Sequence, residues 1–139
     1  MRVIPISRAI IKLNGKYLLL KKALELVKGD MDKWELPGGI IDKDETPEET
    51  VIREIKEETQ LDATILKKID KIEVDAGEIF GIAHVYLCQV NSDKIILSYE
   101  HSEFGWFTYD EILKLNMVKF AHLLYPLIEK VEEMDSKSE

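Results

Sequence analysis

The stretch Gly39–Leu61, GIIDKDETPEETVIREIKEETQL, holds the pattern from which the rest of the chain can be read. Thr46 opens a helix within it. Threonine is a strong N-cap, Pro47 falls at the first helical position where a missing N–H costs nothing, and Glu49 completes a capping box with Thr46. Glu48 and Glu49 also suit the positive end of the helix dipole. The helix is expected to run to about Thr59. With Glu54 at zero on the helical wheel, Glu58 falls at about +40° and Glu57 at about −60°. Val51, Ile55, Thr59 and Ile52 occupy roughly +60° to +160°, the buried stripe, and Arg53 lies near about −100°. The three acids therefore share one arc that borders the buried stripe.

Like charges a turn apart destabilise a helix by roughly 0.2–0.5 kcal/mol per pair, so this crowding calls for an offset. The commonplace reading of such a helix is a solvated charged face. The alternative is a cation site, because Mg²⁺ and Mn²⁺ are held by a few carboxylates together with water and phosphate oxygens. What precedes the helix separates the two.

Ahead of it, Trp34–Gly39 (WELPGG) is too rich in proline and glycine for a regular element and reads as a shaped turn. Lys28–Lys33 reads as a polar loop. Ile4–Leu13 and Lys16–Lys22 read as strands joined by Asn14-Gly15, a strong hairpin signal because both residues tolerate positive φ. After the helix, Ala63–Val74, Ile79–Val90, Ile95–Tyr99 and Gly105–Phe107 read as strands. The apolar run Ile82–Val90 marks a central strand buried on both faces. Thr108 and Glu111 form a second capping box that opens a short helix to about Leu115. Met117–Val131 has a helical pattern interrupted by Pro126, so a kink or two short helices are expected. Met134–Glu139 is polar and expected to fray. Strands, a helix, more strands and then helices describe an α+β chain with a mixed sheet packed between helices.

Composition bounds the function. The chain has 139 residues, which suits one compact domain over residues 1–139, and it is 45% hydrophobic and 33% charged. Its apolar runs are strand-sized and fall short of the roughly 20 residues of a membrane-spanning helix. No signal-peptide pattern opens the sequence, and the lone Cys88 has no partner for a disulfide, so a cytoplasmic setting is expected. A net charge of −8 argues against nucleic acid and anionic membranes as partners. A phosphorylated small molecule stays compatible, because divalent cations neutralise it.

Gly39, Glu45, Arg53, Glu54, Ile55, Glu57, Glu58 and Leu61 fall at the spacing of the Nudix box: Gly, five residues, Glu, seven residues, then Arg-Glu-aliphatic-any-Glu-Glu-any-Gly-aliphatic. The preceding WELPGG resembles the Trp-x-aliphatic-Pro-Gly-Gly that usually leads into that box. The strand order and the EHSEFGWFTYDEI segment resemble the family over nearly the whole chain. One position departs: Gln60 stands where the box has glycine, just past the helix, where a left-handed residue is common.

The resemblance implies an α/β/α sandwich with a mixed sheet. It implies hydrolysis of a nucleoside diphosphate linked to another moiety, with water attacking one phosphorus and Mg²⁺, or Mn²⁺ in its place, as cofactor. Glu54, Glu57 and Glu58 become the expected metal ligands, with the carbonyl of Gly38 or Gly39 completing the shell. Arg53 is expected to orient carboxylates such as Glu45 or Glu57, with Glu45 structural in the motif. The general base is a box glutamate, Glu57 or Glu54, or one from a later segment. There Glu100 and Glu103 flank His101, and Glu103 is slightly favoured. Gly38 and Gly39 allow close backbone approach to substrate. Phe80, Trp34, Phe104 and Tyr17 are candidates for stacking a base, while Trp106 and Cys88 read as core. His84 is read as a core histidine, His101 as a surface or supporting residue and His122 as a helix-face residue.

The substrate is less determined. Asp75–Glu78 lacks the proline and the tyrosine that mark ADP-ribose and dinucleoside polyphosphate subgroups, and the short loops look closest to MutT-like nucleoside triphosphate pyrophosphohydrolases. ADP-ribose, nucleotide sugars and dinucleoside polyphosphates are the alternatives. A non-catalytic nucleotide-binding regulator predicts lost box acids, and all are present. An RNA 5′-end hydrolase calls for a basic surface. Relatives are often dimers, so a homodimer is left open.

Overall fold

The computed structural model describes residues 2–25 and 28–138. In chain order the elements are β1 (Arg2–Leu13), β2 (Lys16–Lys22), β3 (Trp34–Glu35), β4 (Gly38–Ile40), α1 (Pro47–Thr59), β5 (Ala63–Asp75), β6 (Ile79–Val90), β7 (His101–Phe107), α2 (Tyr109–Ile112), a 3₁₀ turn (Ala121–Leu123) and α3 (Tyr125–Ser138). The strands form one mixed sheet. Its main path runs β3-β2-β1-β6-β5, with β4 on β1 and β7 on β2, and among the strands of the described residues only β1 and β6 pair in parallel.

Side-chain alternation sorts the apolar residues into two layers. On one face Ala9, Ile11, Leu18, Leu20, Tyr86 and Cys88 pack against Val51, Ile55 and Leu61 from α1 and its exit. On the other, Ile10, Tyr17, Leu19 and Val85 pack against Ile112 of α2 and Leu127, Ile128 and Val131 of α3. The result is the α/β/α sandwich that the sequence implied. No helix among the described residues is long and apolar enough to cross a membrane.

The β1–β2 hairpin turns on Asn14 and Gly15, with φ of 53° and 77°, as the Asn-Gly signal required. Three expectations need correction, and a fourth is decided between its alternatives. WELPGG is not wholly irregular: Trp34–Glu35 pairs with β2 and Gly38–Ile40 with β1, leaving Leu36-Pro37 as the crossing between them. Ile95–Tyr99 forms no strand. Its backbone N–H groups turn to the end of α1 instead, Ile96 N donating to the Thr59 carbonyl at 3.1 Å and Ser98 N to that of Glu58 at 3.4 Å. These are carbonyls a helix terminus leaves without partners. Of the two outcomes expected at Pro126 the second holds: the segment divides into the 3₁₀ turn and α3, and Pro126 lies in the first turn of α3, where no N–H is needed. The polar end stays helical to Ser138, and Glu139 lies outside the described residues.

Gln60 adopts the left-handed conformation that the box glycine normally supplies, with φ 66° and ψ 13°. Its N–H still closes the helix on the Lys56 carbonyl at 2.9 Å. A non-glycine residue there is strained by on the order of 1 kcal/mol. Gln60→Gly is therefore expected to raise stability by up to about 1 kcal/mol, measured by denaturant unfolding. A clear loss of stability would contradict the strain.

Candidate active site

Both halves of the α1 capping box form: Glu49 N donates to Thr46 Oγ1 at 3.1 Å, and Thr46 N to Glu49 Oε1 at 2.9 Å. This fixes the register of the acids behind it. Val51, Ile55 and Thr59 are buried, as the wheel required, and so are Thr50 and Glu58. The arc grades from solvent to core, with side-chain exposures of 50% at Glu57, 13% at Glu54 and 2% at Glu58.

Arg53 holds the arc from one side. Its Nε and one terminal nitrogen donate to the two Glu45 oxygens at 2.6 and 2.9 Å. That bidentate pair holds the Glu45 carboxyl down at about 2. Thr50 Oγ1 adds a bond to Glu45 at 2.7 Å. The remaining guanidinium nitrogen serves two acids at once, Glu54 at 3.0 Å and Glu57 at 3.0 Å. Glu54 and Glu57 thus share one donor. Burial, opposed by Arg53 and reinforced by the charges of Glu57 and Glu100, pushes the Glu54 carboxyl up. Burial also drives Glu58 well above the carboxylate range, although Arg8 and the Gly38 N–H oppose it.

The glycines close the site from above. Gly38 N donates to Glu58 Oε1 at 2.9 Å. A Cβ on Gly39 would lie 2.5 Å from the Glu54 carboxyl carbon, so only glycine leaves room for that carboxylate. Oxygen donors crowded this closely, with one guanidinium nitrogen between two of them, fit a hard divalent cation.

The sheet divides the other expected residues. Glu100, half-buried, is close enough to act on the Glu54 charge. Glu103 lies opposite Lys21 in the β2–β7 ladder, and its carboxylate pairs with that ammonium at 3.0 Å. Lys21 and its other neighbour Trp34 belong to the face away from α1, so the slight preference for Glu103 as base does not match the placement. Trp34 sits edge-on to Phe107, ring centroids 5.1 Å apart, in the α3-side core. Phe104 faces the α1 side opposite Leu20 and is exposed, and Phe80 is half-buried near the start of β6. Tyr17 is fully buried with its hydroxyl on Glu132 at 2.6 Å, which removes it from the stacking candidates.

Cys88 is core, its thiol pushed up to about 12 by burial. His84 is half-exposed, with Nδ1 3.0 Å from the Lys68 ammonium, and so is not a core histidine. His122 is exposed in the 3₁₀ turn.

Sequence reasoning missed a buried polar group beneath the arc. Glu35, in the unforeseen β3, contacts Arg8 at 3.4 Å, Lys22 at 3.7 Å and His101 at 2.8 Å. Burial pushes Glu35 up, but Arg8, His101 and Lys22 outweigh it and hold the carboxyl below its ordinary value. Only the inward register of Glu35 beside Leu20 could have signalled this, and it depends on recognising a two-residue strand.

The NUDIX domain profile matches residues 4–128. A MutT-like protein of Streptomyces ambofaciens is 30% identical over 118 residues, covering 78% of this chain and 66% of its own length. CTP pyrophosphohydrolase of Escherichia coli K12 is 27% identical over 116 residues, covering 82% of each. The crystal structure of a MutT protein from Methanosarcina mazei Go1 superposes with a TM-score of 0.79 at 28% identity, covering 96% of both chains. With Glu54, Glu57 and Glu58 gathered on α1 beside the Gly38 and Gly39 of β4, this chain belongs to the Nudix hydrolase family and is a hydrolase of diphosphate bonds.

Proposed function

We propose that this chain is a Mg²⁺-dependent nucleoside triphosphate pyrophosphohydrolase that releases a nucleoside monophosphate and pyrophosphate. The observation that carries the metal dependence is the pairing of Glu54 and Glu57 on a single guanidinium nitrogen, with Glu54 under a glycine that a Cβ would crowd and Glu58 buried on the same arc of α1. The similarity to CTP pyrophosphohydrolase over 82% of each chain supports the triphosphate substrate. Glu54, Glu57 and Glu58 would hold the cation, with a carbonyl of Gly38 or Gly39. When bound, a divalent cation neutralises the diphosphate and lowers the pKa of a coordinated water.

The chain's own residues do the rest. Arg53 keeps Glu45, Glu54 and Glu57 oriented, so the acids need little rearrangement on loading. Glu100 accepts the proton of the attacking water, a role supported by its half-buried place in the segment whose Ser98 N–H donates to the Glu58 carbonyl at the end of α1. Phe104 and Phe80 are the rings that a base would stack on.

The test is a Mg²⁺-dependent panel of nucleoside triphosphates, ADP-ribose, dinucleoside polyphosphates and nucleotide sugars, with products resolved chromatographically. The highest kcat/KM is expected for a nucleoside triphosphate, with pyrophosphate released. Preference for ADP-ribose or a nucleotide sugar would overturn the substrate class.

Within the same assay, Glu100→Gln is expected to lower kcat by roughly 10²–10⁴-fold, the range for loss of a general base. Glu103→Gln, which breaks only an exposed ion pair with Lys21, is expected to stay within a few-fold of wild type. The reverse ranking would reassign the base.

A further inference from the structure

Beneath the acid arc lies an atom with no evident employment. Nδ1 of His101 is buried and, among the described residues, has no hydrogen-bond partner. The other ring nitrogen is engaged, Nε2 lying 2.8 Å from Oε2 of Glu35. A carboxylate only accepts, so Nε2 carries the hydrogen, and a neutral ring then has its lone pair on Nδ1.

That lone pair faces Oε2 of Glu58 at 3.8 Å. The other Glu58 oxygen already accepts from Gly38 N–H. Both side chains are nearly sealed from solvent, with exposures of 3% and 2%. Two electron-rich atoms facing one another out of water need a shared proton or a cation between them, and 3.8 Å is too long for a hydrogen bond. With metal–ligand lengths of about 2.0–2.2 Å, one ion can touch two donors up to about 4 Å apart, so the gap is the right size. A carboxylate on the second ring nitrogen is also how metal-bound imidazoles are commonly held. Arg8 and Lys22 both approach Oε1 of Glu35, at 3.4 and 3.7 Å. They balance the Glu35 charge and leave it the role of anchoring the ring.

We propose that His101 Nδ1 and Glu58 Oε2 form a mixed nitrogen–oxygen site for a borderline divalent cation such as Mn²⁺, Co²⁺ or Zn²⁺, with Glu35 fixing the imidazole. The proposal rests on the reading of Glu58 as a metal ligand. It makes the centre less purely oxygen-lined than the box acids alone suggest, which favours Mn²⁺ over Mg²⁺.

The test is electron spin-echo spectroscopy of Mn²⁺ added to the metal-free chain. His84→Gln and His122→Gln are introduced so that His101 is the remaining histidine. An imidazole ¹⁴N modulation is expected, replaced by the ¹⁵N pattern on labelling with ¹⁵N-histidine and abolished by His101→Gln. Glu35→Gln, which loosens the ring, is expected to weaken the Mn²⁺ Kd by roughly tenfold. Bound Mn²⁺ without nitrogen modulation, or with modulation that survives His101→Gln, overturns the His101 ligand and leaves the α1 acids standing. Failure of Mn²⁺ to bind at all overturns both readings. Should His101→Gln not fold, the isotope switch in the single-histidine protein decides alone.

Discussion

Glu57→Gln and Glu58→Gln are each expected to lower kcat/KM for diphosphate hydrolysis by on the order of 10³-fold, because removing a ligand forfeits several kcal/mol of charge stabilisation in the transition state. The two variants should part company in stability. Glu57 is half-exposed and shares one Arg53 nitrogen, so its neutralisation costs the metal-free fold little. Glu58 is buried, and burial raises its carboxyl well above the ordinary 4.5. A raised carboxyl contributes stability that is present below that ordinary value and lost as pH rises through the folded value. Metal-free Glu58→Gln is therefore expected to melt above wild type at pH 7–8, with the gap closing toward about pH 4–5. Calorimetry across that range, in chelator, checks the sign. A Glu58→Gln variant less stable than wild type at neutral pH would show that the buried charge is already compensated within the protein.

The adjacent glycines should separate fold from function in the same way. A Cβ on Gly38 would lie 2.0 Å from the Ser7 carbonyl oxygen and 2.9 Å from the Arg8 Cα, and the residue has φ +146°. Both obstacles are backbone, inside the β1–β4 pairing. Gly38→Ala is expected to destabilise the fold by about 3 kcal/mol or more. The atoms a Cβ on Gly39 would meet first are those of the Glu54 carboxylate, at 2.5–2.8 Å, a side-chain end that swings aside at little structural cost. Gly39→Ala is expected to keep most of the stability while lowering kcat/KM by on the order of 10²-fold, since displacing a catalytic group by about 1 Å costs that much. Equal effects on stability, read from denaturant melts, would mean that Glu54 has no room to move.

These contrasts show what could be read from the chain before its fold. Asn14-Gly15 and the Thr46–Glu49 box act over three or four residues, so local rules placed the hairpin and the α1 register. The acid arc followed from that register alone. Ile95–Leu97 misled because inward Ile95 and Leu97 around an outward Ile96 make a strand pattern, while the open carbonyls of Thr59 and Glu58 took the backbone N–H groups. The pairing of Glu35 with His101 spans 66 positions and depends on a two-residue strand, which no local pattern announces. Sequence alone slightly favours Glu103 over Glu100 as base, but the β2–β7 register puts it beside Lys21, away from α1.

The most direct measurement is an anomalous difference map from a crystal soaked in Mn²⁺. The strongest peak is expected within coordination distance of Glu54, Glu57 or Glu58 oxygens, beneath Gly39. A map in which those carboxylates contact only Arg53 and water, with manganese bound elsewhere on the chain, would contradict the metal-binding role of the α1 acids.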